Sequence, residues 1–203
     1  MEATPSVTTG SRWQGGVSPW GMSWQKMMMW WFIVTDALLF AGFLGSYGFH
    51  RLGSTNWPDT GEVFHLSLIT VMTFVLISSS ATMAVAVAAA RAGDRAKVKT
   101  FLGLTIVGGL IFLSMQAIEW SAFIADGGRL HANPWGDAGF GAYFFMVTGF
   151  HGTHVLLGVV ILLITLLRAR AGKGTANGVE VAGLYWHFVD LVWVFIFGCF
   201  YLI

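Results

Sequence analysis

Tyr185-Trp186-His187-Phe188-Val189-Asp190 opens an otherwise apolar stretch that runs to Ile203. A bilayer-spanning helix needs about 20 mostly apolar residues. The histidine and the aspartate, three residues apart, therefore fall inside a candidate span. Ionisable groups at membrane depth are costly, so they face protein or water and mark function. Four more apolar stretches precede this one, at roughly 26–49, 64–90, 99–124 and 138–168, with the last at 181–203. The fold expected is an all-α membrane protein, a bundle of five transmembrane helices.

The composition agrees. Of 203 residues 56% are hydrophobic and 10% charged, against about 25% charged in globular proteins. Polar punctuation falls between the spans, at Asn56-Trp57-Pro58-Asp59, Arg91 to Lys99, Asp126 to Asp137 and Arg168 to Glu180. No soluble domain fits, and the period is helical rather than the short alternation of an outer-membrane barrel. Cys199 is the only cysteine, so there is neither an intrachain disulfide nor a CxxCH haem-attachment motif. Residues 1–25 carry Pro5, Pro19 and no apolar core. They read as a cytoplasmic or interfacial arm rather than a cleavable signal peptide, with Trp13, Trp20 and Trp24 at headgroup level. Residues 26–203 form the membrane domain.

Five spans put the termini on opposite sides. Arg12, Lys26, Arg91, Arg95, Lys97, Lys99, Arg168, Arg170 and Lys173 share one side, and Arg51 and Arg129 the other. Basic residues mark the cytoplasmic side, so the N-terminus is expected in the cytoplasm and the C-terminus outside. The location expected is a bacterial inner membrane, crossed several times. Small residues at helical spacing suggest close helix approach: Ser80, Ala84 and Ala88 on the second span, Gly42 and Gly45 on the first, Gly149 and Gly152 on the fourth.

Six buried polar residues are the candidate site. Asp36 lies about 15 Å into the first span, near the midplane. Glu119, near the outer end of the third span, is a candidate partner for a histidine of the fourth. His151 and His154 share roughly one face of that helix. Two histidines fall short of the three or four ligands of a metal site, so interhelical hydrogen bonding is the expected role. A His187–Asp190 hydrogen bond would satisfy both groups in a dry bundle.

Four ordered motifs carry a family resemblance. Gly149-Phe150-His151-Gly152-x-His154-Val155 and Tyr185-Trp186-His187-Phe188-Val189-Asp190-Leu191-Val192-Trp193 resemble the last two helices of subunit III of haem–copper terminal oxidases. Gln116-Ala117-x-Glu119-Trp120 resembles its Gln-Ala-x-Glu-aromatic element. Asp36-x-x-x-Phe40-Ala41-Gly42-Phe43 resembles its helix with a membrane-buried carboxylate. The resemblance covers residue 26 to the end. It implies a non-catalytic subunit without haem or copper of its own. Such a subunit packs against catalytic subunit I, with subunit II in the same complex, where haem and copper reside. It binds phospholipid, sustains proton uptake and protects the oxygen-reducing, proton-pumping site during turnover. Two features depart from the family's pattern. The buried carboxylate is usually Glu, whereas here it is Asp36, and seven-helix members have two helices ahead of the equivalent of the first span. No nucleic-acid partner is expected.

Related readings are subunit III of a quinol oxidase, or a subunit III-like component of a nitric oxide reductase system. From other classes come a proton-coupled transporter relaying through Asp36, His151 and His187, and a cytochrome b-type haem carrier. Transporters show internal repeats and interrupted helices, but all four prolines lie outside the spans and no convincing repeat is present. A haem carrier wants histidine pairs on facing helices, a placement these histidines do not repeat.

Overall fold

The computed structural model describes residues 21–202. The elements are α1 (Trp24–Gly53), α2 (Thr60–Val63), α3 (Leu66–Arg91), α4 (Arg95–Ala125), α5 (Gly139–Arg170) and α6 (Ala176–Ile196). A π-helical turn, Phe197–Leu202, continues α6. Among the described residues five helices are long and apolar enough to cross a membrane, with α6 and its π turn counted as one. The expected spans thus stand, with ends moved by up to about five residues: the first and third spans extend beyond both expected bounds, the last begins earlier, and α3 begins two residues later. Of the expected N-terminal arm, residues 1–20 with Trp13 and Trp20 lie outside the described residues. Trp24 already belongs to α1.

Local chemistry sets the helix ends. Ser23, Asp94 and Thr175 cap α1, α4 and α6, each accepting from a backbone N–H in the first turn. Gly93, at φ +77°, closes α3. Its N–H donates to the Ala90 carbonyl and that of Asp94 to the Ala89 carbonyl, the pattern that turns a chain out of a helix through a left-handed glycine. This turn sends α4 back along α3 as a hairpin.

The bundle is asymmetric. α6 packs against α3, α5 and α1, whereas α1 rests chiefly on α6 and α5. Much of α1 therefore faces outward, with Met28, Trp31, Leu38 and Phe49 exposed. Apolar exposure is what lipid or a partner chain demands of a membrane helix. The core is aromatic at its centre: Trp186, Trp193, Phe112, Phe144 and Phe200 are fully buried.

The small-residue stripes need correction. Ala84 and Ala88 on α3, and Gly42 and Gly45 on α1, face outward, and a methyl added at either glycine meets nothing within 4 Å. Of the expected set, Gly149 and Gly152 do sit against another helix, at Trp120 and Gln116 of α4. α3 and α4 approach closely at Gly108, where an added Cβ would lie 2.6 Å from the Ser79 Cβ. Spacing alone does not say which way a small residue points. The large partners decide it: Trp186 fills the space left by Gly109 and Gly158.

Candidate functional site

Hydroxyl and indole groups link the helices in rungs. Trp186 Nε1 donates to Ser79 Oγ at 3.1 Å, and Trp193 Nε1 to Thr73 Oγ1 at 3.0 Å. Both rungs bind α6 to α3. Between α4 and α5, Gln116 Nε2 donates to the Thr148 carbonyl at 2.7 Å and Trp120 Nε1 to Thr148 Oγ1 at 3.1 Å. Each indole N–H would otherwise be orphaned in an apolar interior.

Within this frame Asp36 and His154 meet. Asp36 is 8% exposed, and its Oδ2 lies 3.3 Å from His154 Nε2. That is ion-pair range, although the pair is not aligned as a hydrogen bond. His154 Nδ1 lies 2.8 Å from the Phe150 carbonyl. A carbonyl only accepts, so Nδ1 carries the proton and donates. Nε2 is then bare in the neutral ring and turns a lone pair toward the carboxyl. One further proton on either partner makes the contact favourable. Tyr185 fixes the same turn of α5 by donating to the His154 carbonyl at 3.1 Å.

His151 behaves differently. It is 0% exposed and neither ring nitrogen has a hydrogen-bond partner. Its walls are the rings of Phe40, Phe112 and Trp193, with centroids 6.5, 5.7 and 5.1 Å away. The expected pairing of Glu119 with a histidine of α5 is corrected, because both carboxyl oxygens of Glu119 and both ring nitrogens of His151 are unpartnered. Glu119 instead has Tyr201, on the π turn, as its polar neighbour. The expected His187–Asp190 hydrogen bond is corrected too. His187 Nδ1 lies 2.6 Å from Ser80 Oγ, while Asp190 Oδ1 is unpartnered. Ser80 intervenes because α3 packs along that face of α6.

Two charged clusters hold the bundle ends. At one end Glu180 bonds Lys26, at 2.6 Å, and Arg91, tying α6 to α1 and α3. At the other, Asp137 accepts from Ser54 Oγ at 2.7 Å and the Gly139 N–H at 2.8 Å, with His50 Nε2 at 3.1 Å. The Ser54 hydroxyl, then the Gly139 N–H, then His50 hold this carboxyl down at about 2. The Asp137 N–H also donates to the Asn56 carbonyl at 2.9 Å. Sequence reasoning placed Asp137 only as a loop acid, although an aspartate two residues before a helical glycine is a capping signal. Ser80, Tyr185, Thr148 and Tyr201 were also missed. A hydroxyl inside an apolar span is the one signal that flags them. Among the described residues no three His, Cys, Asp or Glu side chains come together as a metal cluster.

Comparison with known proteins identifies the family. The family profile described as Cytochrome c oxidase subunit III matches residues 6–203. The chain is 32% identical to cytochrome c oxidase subunit 3 of Alkalihalophilus pseudofirmus, over 85% of this chain and 84% of that one. It is 35% identical to the protein of that name from Corynebacterium diphtheriae, again over 85% and 84%. With that from Oryctolagus cuniculus it shares 34% identity, over 84% of this chain and 66% of the longer rabbit protein. The Asp36, Glu119, His151–His154 and His187–Asp190 motifs all lie within the matched residues, and the chain belongs to the cytochrome c oxidase subunit III family.

Proposed function

We propose that the chain serves as the accessory subunit III of an aerobic respiratory oxidase, without a redox centre of its own. The family match over residues 6–203 carries this reading. Cytochrome c rather than quinol is the proposed electron donor, because the relatives are named cytochrome c oxidase subunit 3. The chain packs against catalytic subunit I, with subunit II in the same complex, and those partners hold the haem and copper. The outward apolar face of α1 is suited to a partner chain or to bound phospholipid.

The basic end of the bundle, with Lys26, Arg91, Arg95 and Arg168, lies in the cytoplasm of a bacterial cell and the C-terminus outside. Asp36, Glu119 and His151, buried, and His154, His187 and Asp190, half-buried, are the proposed polar groups of the membrane domain, residues 26–203. The Asp36–His154 pair sustains proton uptake and the durability of the oxygen-reducing site. The 3.3 Å contact between a carboxyl and a bare imidazole nitrogen supports that role, since such a pair holds one exchangeable proton.

Affinity purification through a tag on this chain tests the assignment. The expected product is a complex that oxidises cytochrome c, shows haem spectra, and yields haem-free, copper-free subunit III on separation. Recovery of the chain without haem-bearing partners, or of a quinol-specific complex, overturns it.

A further inference from the structure

A cavity of about 60 Å³ opens at the α2 end of the bundle, between α3 and α4. His65, Asp126 and Ile118 are exposed around it, Val63, Leu68 and Ala122 form its walls, and Glu119 also lines it. Glu119 stands six residues before the end of α4 at Ala125, about 9 Å along the helix. Its residue exposure is 5%, and neither carboxyl oxygen has a hydrogen-bond partner. The Tyr201 hydroxyl, in a residue 1% exposed, is likewise unpartnered. The two groups are neighbours close enough to interact, yet no well-formed hydrogen bond joins them.

Orphaned buried polar atoms are rare in folded proteins, and ordered water is the usual partner. One water needs roughly 10–15 Å³ of such space and two to four polar contacts. This cavity exceeds that volume, and it is lined by Glu119, whose two carboxyl oxygens are unpartnered and whose neighbour is the unpartnered Tyr201 hydroxyl. We propose that it is a water-binding site that hydrates the Glu119 carboxyl, bridges it to Tyr201 and exchanges with the aqueous phase at the α2 end. The backbone prepares the geometry. The π turn at 197–202 offsets Tyr201 from α-helical register, and π turns recur at functional sites. Thr60 Oγ1 donates to the Tyr201 carbonyl at 3.3 Å, and the Phe64 ring packs on the Tyr201 ring at 5.1 Å. The segment of α2 thus both forms the cavity wall and holds the tyrosine. His65 and Asp126 are the titratable groups at the mouth, Glu119 and Tyr201 those within.

Pulsed hydroxyl-radical footprinting of the intact complex, with rapid mixing into oxygen-18 water, tests this. Side chains beside bound water are oxidised even when buried, and the heavy oxygen reports exchange with bulk. Tyr185 is the internal reference, since it is buried at 2% exposure and its hydroxyl already bonds the His154 carbonyl. Oxidation of Tyr201 several-fold above Tyr185, with heavy oxygen incorporated, is expected. Ala122→Phe should plug the cavity and bring Tyr201 down to the Tyr185 level. Glu119→Gln, which keeps hydrogen-bonding groups, should preserve the labelling. Tyr201 labelling no higher than Tyr185 in the wild-type complex overturns the proposal, a reading that needs no variant to fold. Labelling that survives the plug in an assembled complex also overturns it.

Discussion

Nε2 of His154 on α5 stands 3.3 Å from Oδ2 of Asp36 on α1, while Nδ1 of the same ring is committed to the Phe150 carbonyl. The contact adds a polar link between the least enclosed helix and the bundle to those of Ser46 with Tyr143 and Lys26 with Glu180. Phe40 packs there too, 5.5 Å from the His154 ring and 5.2 Å from Phe150. Under the proposed function the pair both fastens α1 and holds one proton, and substitution separates these roles.

Asp36→Asn keeps the shape and can donate an amide N–H to Nε2. The complex should assemble and begin to reduce oxygen at near wild-type rate. Proton ejection should fall, most at high pH where protons are scarce, and activity should decay sooner during turnover. Steady-state rate, proton ejection and activity half-life across pH check this, and curves identical to wild type reject a proton role. Asp36→Leu should instead loosen α1, because it leaves the bare nitrogen facing an apolar side chain in place of its polar neighbour at 3.3 Å. His154→Leu in the same chain should recover part of that loss in thermal inactivation.

Gly108→Ala should destabilise the α3–α4 hairpin. The new methyl would lie 2.6 Å from Ser79 Cβ, and overpacking of this kind costs about 1–3 kcal/mol. Gly42→Ala, with open space around it, should be neutral or gain up to ~1 kcal/mol of helix propensity. Thermal unfolding of the two variants in detergent should rank them in that order.

Asp137 should make the α1–α5 end connection acid-sensitive. Its carboxyl is held at about 2 against an ordinary 3.8. A group depressed on folding contributes stability that is present above its unfolded value and lost as pH falls through the folded one. Wild type should therefore lose this contribution between pH ~4 and ~2. Asp137→Asn should be less stable than wild type above that window, and the gap should close within it. Thermal melts of the complex at stepped pH measure the difference.

The orientation is testable by cysteine labelling in a Cys199→Ser background. Lys97, in the first turn of α4, and Lys173, in the α5–α6 loop, are exposed at the basic end, and Leu130 on the opposite loop. In intact cells an impermeant thiol reagent should label Leu130→Cys, and should reach Lys97→Cys and Lys173→Cys only after permeabilisation. The reverse pattern inverts the topology.

The sequence by itself determined the five spans, the unequal distribution of Lys and Arg, and which acidic and histidine side chains fall inside the apolar runs. Those are local properties. Bilayer thickness sets span length, and each ionisable side chain in an apolar run is visible as it stands. Only the tertiary structure decided which of them meet. Glu119 turned out to neighbour Tyr201 rather than bond His151, and His187 to bond Ser80 rather than Asp190. Ala84 and Gly42 turned outward. Partner choice depends on the rotation and axial register of each helix. Contacts between residues far apart in the chain set both, such as Trp186 of α6 filling the space beside Gly109 of α4 and Gly158 of α5. No window of sequence contains that information, because side-chain volume on one helix acts only against the space left on another.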